Sequence, residues 1–243
     1  MTSQNSQKPR DIPDHILRAH RLFSMIAPVY DLVLARSMTR VYRKAVDLLL
    51  QTDLHASGPG STLPMLPTLS TLQPPPTEPM PPAPTALDVG TGTGLFASEL
   101  ARSGFQVTAI DSCSAMLQIA KHHRPRAAEY IQAEAHLASR QPGAPFDIVC
   151  AGMLLHGLPR HYRTEVLVDM IHAACKAVVI VDYIPPGNLI AAAVERLEGS
   201  CYRGFLHEFS DDLACVAANA LVYPLTAACA LYVLPLSHLP RGH

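Results

Sequence analysis

The chain has 243 residues, a formal net charge of −1 and a hydrophobic fraction of 49%. That length suits a single α/β domain with additions, and the apolar content is ample for a large core. A near-neutral chain without a basic run argues against a nucleic-acid partner.

The polar start, Met1 to Gln7, is no secretory signal, and residues 1–13 are expected to be disordered. Cys113, Cys150, Cys175, Cys201, Cys215 and Cys229 are scattered, with no C-x-x-C pair. Neither a disulfide framework nor a zinc site is expected, and a reducing, cytoplasmic compartment fits. Residues 14–54 carry helical periodicity, with Ile16, Leu17, Phe23, Ile26, Leu32, Leu34, Val41, Ala45 and Leu48 recurring at three- and four-residue intervals. They are expected to form a mobile helical lid. Residues 58–84 include Pro74-Pro75-Pro76 and Pro81-Pro82 and offer no period. Such a stretch cannot build a core and reads as an extended linker or surface insertion.

From Thr85 onward, residues 85–243 alternate short apolar strands with helices, which predicts a mainly parallel sheet covered on both faces. Strands are expected at 86–89, 106–110, 129–133, 146–151 and 177–182, with helices at 95–102, 114–122 and near 163–174. A further helix should occupy part of 188–219, before strands at 221–227 and 230–236. The stretch from Leu213 to Leu236 is uncharged and long enough to cross a bilayer. Asn219 and Pro224 interrupt it, and its Ala, Thr, Cys and Tyr content suits a buried hairpin better than a membrane span.

The chemistry is concentrated in Ala86-Leu87-Asp88-Val89-Gly90-Thr91-Gly92-Thr93-Gly94, followed by a helix and by Val107-Thr108-Ala109-Ile110-Asp111. A strand, a glycine turn, a helix and a second strand ending in a carboxylate make a nucleotide-binding βαβ unit. Gly90, Gly92 and Gly94 let the backbone turn sharply and approach a ligand closely. Asp111 is placed to accept both hydroxyl hydrogens of a ribose. Counted from Gly90, the dinucleotide spacing G-x-G-x-x-G/A fails at Leu95; counted from Gly92 it passes through Gly94 and Ala97. Spacing alone therefore leaves an NAD-type oxidoreductase open. Asp88 argues against it, because a carboxylate there would repel a pyrophosphate and favour a ligand bearing an ammonium or sulfonium group.

On these residues the chain resembles the class I S-adenosylmethionine-dependent methyltransferases, whose first motif is acidic-x-Gly-x-Gly-x-Gly, matched by Asp88 to Gly94. Asp111-Ser112-Cys113-Ser114-Ala115-Met116-Leu117 resembles the family's second motif, with Cys113 where Ser is usual. Gln132-Ala133-Glu134-Ala135 stands where the family carries Asp-Ala after the third strand. Phe23-Ser24-Met25-Ile26-Ala27-Pro28-Val29-Tyr30-Asp31 looks like the lid element of the ubiquinone/menaquinone C-methyltransferase-like (type 11) branch. The resemblance implies a Rossmann-like, doubly wound seven-stranded sheet with a C-terminal antiparallel hairpin. It also implies S-adenosyl-L-methionine as cofactor, with Asp111 on the ribose, Met116 against the adenine face and Glu134 and Ala135 near the adenine amino group. Tyr30 would lie at the methionine end or against the acceptor.

Strand ends face the cofactor crevice in open α/β sheets. His156, after strand four, is thus the foremost catalytic candidate, and Asp182-Tyr183 at the end of strand five are placed to face substrate. Asp147 reads as a structural residue at its strand's start. The partner expected is a small, apolar or aromatic methyl acceptor. A non-catalytic cofactor-binding protein stays open, since an intact glycine motif speaks for binding rather than turnover.

Overall fold

A computed structural model describes residues 35–52, 82–187, 201–217 and 219–236. The expected disordered start, the first part of the helical segment with Tyr30, and the proline-rich stretch up to residue 81 lie outside the described residues.

Helix α1 spans 35–51. It is followed by β1 (Thr85–Val89), α2 (Leu95–Arg102), β2 (Gln106–Asp111), α3 (Ser114–His123) and β3 (Glu129–Gln132). A 3₁₀ segment, Ala135–Arg140, leads into β4 (Phe146–Gly152), a 3₁₀ turn at Leu155–Gly157, α4 (Arg160–Ala173) and β5 (Ala174–Tyr183). Helix α5 (Tyr202–Val216) and strands β6 (Leu221–Pro224) and β7 (Cys229–Pro235) complete the described elements. The seven strands are ordered β3-β2-β1-β4-β5-β7-β6. Pairings among β1 to β5 are parallel, while β7 runs antiparallel to β5 and to β6. The stretch from Leu213 to Leu236 is thus the end of α5 and an edge hairpin. No helix among the described residues is long and apolar enough to cross a membrane.

The central strands are near-continuous apolar runs because both their faces are covered. Leu87, Val89, Val149, Val178 and Ile180 are fully buried on the side of α4 and α5. Ala86, Ala109, Cys150, Val179 and Val181 are buried on the side of α1, α2 and α3. The chain winds outward from β1 through β2 to β3 and returns to β4 on β1's other flank. The connections leaving β1 and β4 therefore diverge, and a crevice opens between them at the carboxyl edge. At the opposite edge Asp147 fastens the sheet. It accepts hydrogen bonds from the Thr85 backbone N–H at 2.8 Å and from the Thr85 hydroxyl, and it pairs with Lys176 at 2.9 Å. This is the structural role read from its place in the strand.

Several boundaries differ from the sequence expectation, among them the end of β6, at Pro224 rather than 227, and the starts of α4 and β5. Helix α4 begins at Arg160, immediately after Pro159, whose φ of −59° suits a helix entry. Strand β5 begins at Ala174, since Phe146 pairs with Ala174 before the β4 register shifts at Ile148.

Over 35–51, the helical segment expected as a mobile lid is part of the core. Tyr42, Ala45, Val46 and Leu49 are buried, and the Tyr42 ring stacks on Phe96 at 4.7 Å between centroids. Arg43 pairs with Glu99 at 3.0 Å, and Lys44 Nζ donates to the Leu225 carbonyl at 2.8 Å. On the other face Arg163, fully buried, donates through Nε to Asp212 at 2.8 Å and pairs through Nη2 with Glu208 at 3.2 Å. Its guanidinium also lies 5.4 Å from the centre of the Phe205 ring, so α4 fixes the position of α5.

Leu49 is 2% exposed and its neighbour Leu50 57% exposed, which makes a matched pair. Leu49→Ala should lower unfolding free energy by about 2–5 kcal/mol, whereas Leu50→Ala should stay within about 0.5 kcal/mol. Equal midpoints in urea melts would show that α1 is not part of the core.

Candidate functional site at the carboxyl edge of the sheet

The loop from β1 to α2 turns on glycines with positive φ. At Gly94 (φ +81°) a Cβ would lie 2.7 Å from the Tyr130 hydroxyl oxygen and 3.2 Å from the Ala120 Cβ, so both conformation and packing demand glycine. Gly90 is similarly crowded, its would-be Cβ 2.7 Å from Leu154. Gly92 differs. Its φ is +54°, yet among the described residues nothing lies within 4 Å of where a Cβ would project. The backbone at Gly92 therefore borders open space in the crevice, where a ligand can approach the main chain.

Asp88 lies beneath this loop, 1% exposed. Its Oδ2 accepts hydrogen bonds from the Thr91 hydroxyl at 2.7 Å and from the Ala97 backbone N–H at 3.1 Å, tying the loop to the first turn of α2. Its Oδ1 is buried and has no partner among the described residues. Burial pushes this carboxyl up to about 7, against the opposing pull of those two donors. The side chain thus braces the glycine loop from within.

Asp111 closes the other side. Its Oδ2 accepts from the Gly92 N–H and its Oδ1 from the Cys113 N–H, each at 2.8 Å. One carboxylate thereby fixes the tip of the glycine loop to the start of α3. Met116 is buried with Cys113 in a small apolar cluster separate from the two sheet cores, in the first turn of α3. Beyond β3, Glu134 Oε2 accepts at 3.5 Å from the Tyr162 hydroxyl, which also lies 3.0 Å from His136 Nδ1. Ala135 opens the 3₁₀ segment that follows Glu134. Burial and the Glu134 charge both push the Tyr162 phenol upward.

After β4 the chain passes through Met153, in the left-handed region at φ +53°, into the short turn that carries His156. His156 is 6% exposed. Its Nδ1 lies 2.7 Å from Asp182 Oδ1 at the end of β5. Asp182 Oδ2 accepts from the backbone N–H groups of Leu155 at 3.0 Å and His156 at 3.2 Å. Tyr183 meets the His156 ring edge-on at 4.8 Å between centroids, while Tyr202 and Phe205 of α5 approach it at 6.4 and 6.2 Å. A cavity of about 280 Å³ lies on the far side of Tyr183 and Phe205, lined also by Pro185, Phe209, Leu213 and Tyr232.

The structure thus gathers the sequence-derived candidates into two groups. Asp88, Gly90, Gly92, Gly94, Asp111 and Met116 surround the crevice beside β1 and β2, and Glu134 and Ala135 follow β3. His156 and Tyr183 stand together after β4 and β5. Tyr30 lies outside the described residues. Sequence reasoning did not find Tyr202 and Phe205, which come from a helix whose place in space no local pattern encodes. Nor did it join Asp182 to His156, 26 residues apart.

Residues 86–177 match the family model described as a methyltransferase domain. The ubiquinone biosynthesis O-methyltransferase of Xanthomonas campestris pv. campestris (strain B100) is 38% identical over 79 residues, covering 31% of this chain and 33% of that protein. Its counterpart from Albidiferax ferrireducens is 46% identical over 77 residues, covering 29% and 30%. The matched part of the chain thus spans about a third of the length of these curated relatives. Magnesium protoporphyrin IX methyltransferase from Synechocystis PCC 6803, with bound SAH, superposes with a TM-score of 0.58 at 13% identity over 92% of this chain and 99% of that one. An O-methyltransferase family protein from Burkholderia thailandensis gives 0.60 at 14% identity over 94% and 64%. At such identities these structures speak for the fold. Residues 86–177 are thus similar to a methyltransferase domain, within a fold shared with these methyltransferase structures. The relatives named are O-methyltransferases; the segment 23–31, on which the likeness to the C-methyltransferase-like branch rested, lies outside the matched residues.

The raised Asp88 carboxyl has a stability consequence. Its folded-state value of about 7 lies above the ordinary 3.8, so the native protein holds a proton that the unfolded chain releases. The contribution is full below pH 3.8 and is lost as pH rises toward 7. In Asp88→Asn this loss is absent, so the difference in unfolding free energy between mutant and wild type should shift in the mutant's favour by up to a few kcal/mol between pH 4 and pH 8. Urea titrations at both pH values check it; a pH-independent difference would mean that Asp88 is ionised throughout.

Proposed function

We propose that the chain transfers the methyl group of S-adenosylmethionine to a small, apolar or aromatic molecule. The observation that carries this reading is Asp111, a carboxylate at the end of β2 that ties the Gly92 and Cys113 N–H groups together beside the glycine loop, at the place of a ribose acceptor in the resembled motif. Met116 is assigned to the adenine face through its polarizable thioether, and Glu134 and Ala135 to the adenine edge, as the resemblance implies. Asp88, buried beneath the loop, holds its conformation through the Thr91 hydroxyl and the Ala97 N–H.

When bound, the cofactor supplies a methyl group already activated by a sulfonium whose leaving group is a neutral thioether. The protein's remaining task is to align an acceptor and exclude water, and such positioning is worth several kcal/mol of barrier. The acceptor side is assigned to His156 and Tyr183, and the resemblance adds Tyr30 as a third candidate. The aromatic surroundings of His156 and the apolar cavity behind Tyr183 and Phe205 support an apolar or aromatic acceptor. The O-methyltransferase names of the curated relatives agree with a hydroxyl as the atom methylated.

Isothermal titration with S-adenosylmethionine, S-adenosylhomocysteine and NADH tests the reading. The first two should bind and NADH should not. Asp111→Ala should weaken S-adenosylmethionine by roughly ten- to a hundredfold, since it removes two charge-assisted hydrogen bonds worth about 1.5–3 kcal/mol. An unchanged dissociation constant in a folded Asp111→Ala protein, or tighter binding of NADH, would overturn it.

A further inference from the structure

We propose that Tyr162 is a positioning residue of the cofactor site, its hydroxyl donating to Glu134 Oε2 and leaving Oε1 to read the amino group of the adenine. The inference rests on the methyl-transfer reading above, and within it on Glu134 as the residue at the adenine edge.

Three side chains from two segments meet beyond the end of β3. The Tyr162 hydroxyl lies 3.0 Å from His136 Nδ1 and 3.5 Å from Glu134 Oε2. The His136 and Tyr162 rings meet edge-on at 5.6 Å between centroids, and all three residues are half-buried. A phenol has a single hydrogen to donate, and each neighbour has an atom able to accept it. If that hydrogen went to Nδ1, lone pairs of the phenol and the carboxylate would face each other across 3.5 Å with no hydrogen between them. If it goes to Glu134, the Nδ1–H of His136 donates to the phenol oxygen, and both contacts contain a hydrogen. The second arrangement also gives the hydrogen to the charged acceptor, which binds it more strongly. The phenol keeps its hydrogen, because burial and the charges of Glu134 and Glu165 oppose its ionisation.

Tyr162 can orient a carboxylate because its own place is fixed. It stands in the first turn of α4, next to Arg163, which is fully buried and paired with Asp212 and Glu208. Further along the same helix, Asp169 accepts from the Ser139 backbone N–H at 3.0 Å and from the Ser139 hydroxyl. Helix α4 therefore holds the 3₁₀ segment Ala135–Arg140 at two points, and Glu134 leads directly into that segment. A glutamate side chain has several rotatable bonds, and a free one must be ordered when a ligand arrives. Here a donor on α4 orders one oxygen beforehand. Nothing in Gln132-Ala133-Glu134-Ala135 announces this, since the donor stands 28 residues away.

The test measures, by isothermal titration, dissociation constants for S-adenosylhomocysteine and for S-inosylhomocysteine, in which a carbonyl replaces the adenine amino group. Wild type should prefer the adenosyl ligand by about tenfold or more. Glu134→Ala should cut that ratio about tenfold. Tyr162→Phe keeps the ring and removes the hydroxyl, and it should lower the ratio about two- to tenfold, because the carboxylate must then be ordered by the ligand. Glu134→Gln should favour the inosyl ligand further than Glu134→Ala does. The Tyr162 hydroxyl takes the amide oxygen, so the amide nitrogen faces the base and donates to its carbonyl. Adding Tyr162→Phe to Glu134→Gln should erase this extra shift, since the amide is then free to turn. A merely structural tyrosine would lower the melting temperature and weaken both ligands alike, and an unchanged ratio in Tyr162→Phe would overturn the proposal. So would a Glu134→Gln protein as selective for the adenosyl ligand as wild type, a result that holds even where Tyr162→Phe does not fold. Wild type that binds both ligands equally would overturn it too, and leave the methyl-transfer reading standing. Failure of wild type to bind S-adenosylhomocysteine at all would instead strike that reading.

Discussion

The carboxyl edge of this sheet is organised by aspartates that stand at or near strand ends and collect backbone N–H groups from the loops that leave the sheet. Asp88 of β1 takes the Ala97 N–H, and Asp111 at the end of β2 takes those of Gly92 and Cys113. Asp182 of β5 takes those of Leu155, His156 and Tyr183. A carboxylate buried in an apolar sheet is costly unless donors surround it. The loops supply those donors, and in doing so they acquire one conformation. The crevice between β1 and β4 is therefore built from rigid turns, although none of its walls is itself a regular element.

The three carboxylates are satisfied to different degrees, and this separates their roles. Asp182 has four contacts and is held as an acceptor. Asp111 accepts from the backbone N–H groups of Gly92 and Cys113 and is partly open to solvent. Asp88 has both its donors on one oxygen and leaves the other buried without a partner among the described residues, which is why its carboxyl is raised. The same side chain at three strand ends thus meets three different hydrogen-bonding environments.

Packing behind the site is as specific as the hydrogen bonding in front. Arg163 is buried because Asp212 and Glu208 neutralise it and the Leu158 carbonyl accepts from Nη1. Removing one member of so buried a cluster would leave an uncompensated charge. Through the Phe205 ring beneath its guanidinium, this cluster fixes the aromatic wall beside His156. On the opposite face, α1 is bound to α2 by the Tyr42–Phe96 stack and the Arg43–Glu99 pair.

Period and composition were enough to read the sheet elements and the glycine loop, because alternation, apolar runs and turn glycines are local properties of neighbouring residues. Asp88, Asp111 and the three loop glycines could be named for the same reason: their spacing is fixed by one strand, one turn and one helix. Val41, Ala45 and Leu48 likewise announced an apolar stripe. The stripe does not say what covers it, and the tertiary structure placed it in the core. The pairing of His156 with Asp182, the approach of Tyr202 and Phe205, and the burial of Arg163 were decided only by the fold. Each depends on strand order and helix docking, which bring together residues far apart in the chain by burying surface that no short window of sequence can assign to a partner.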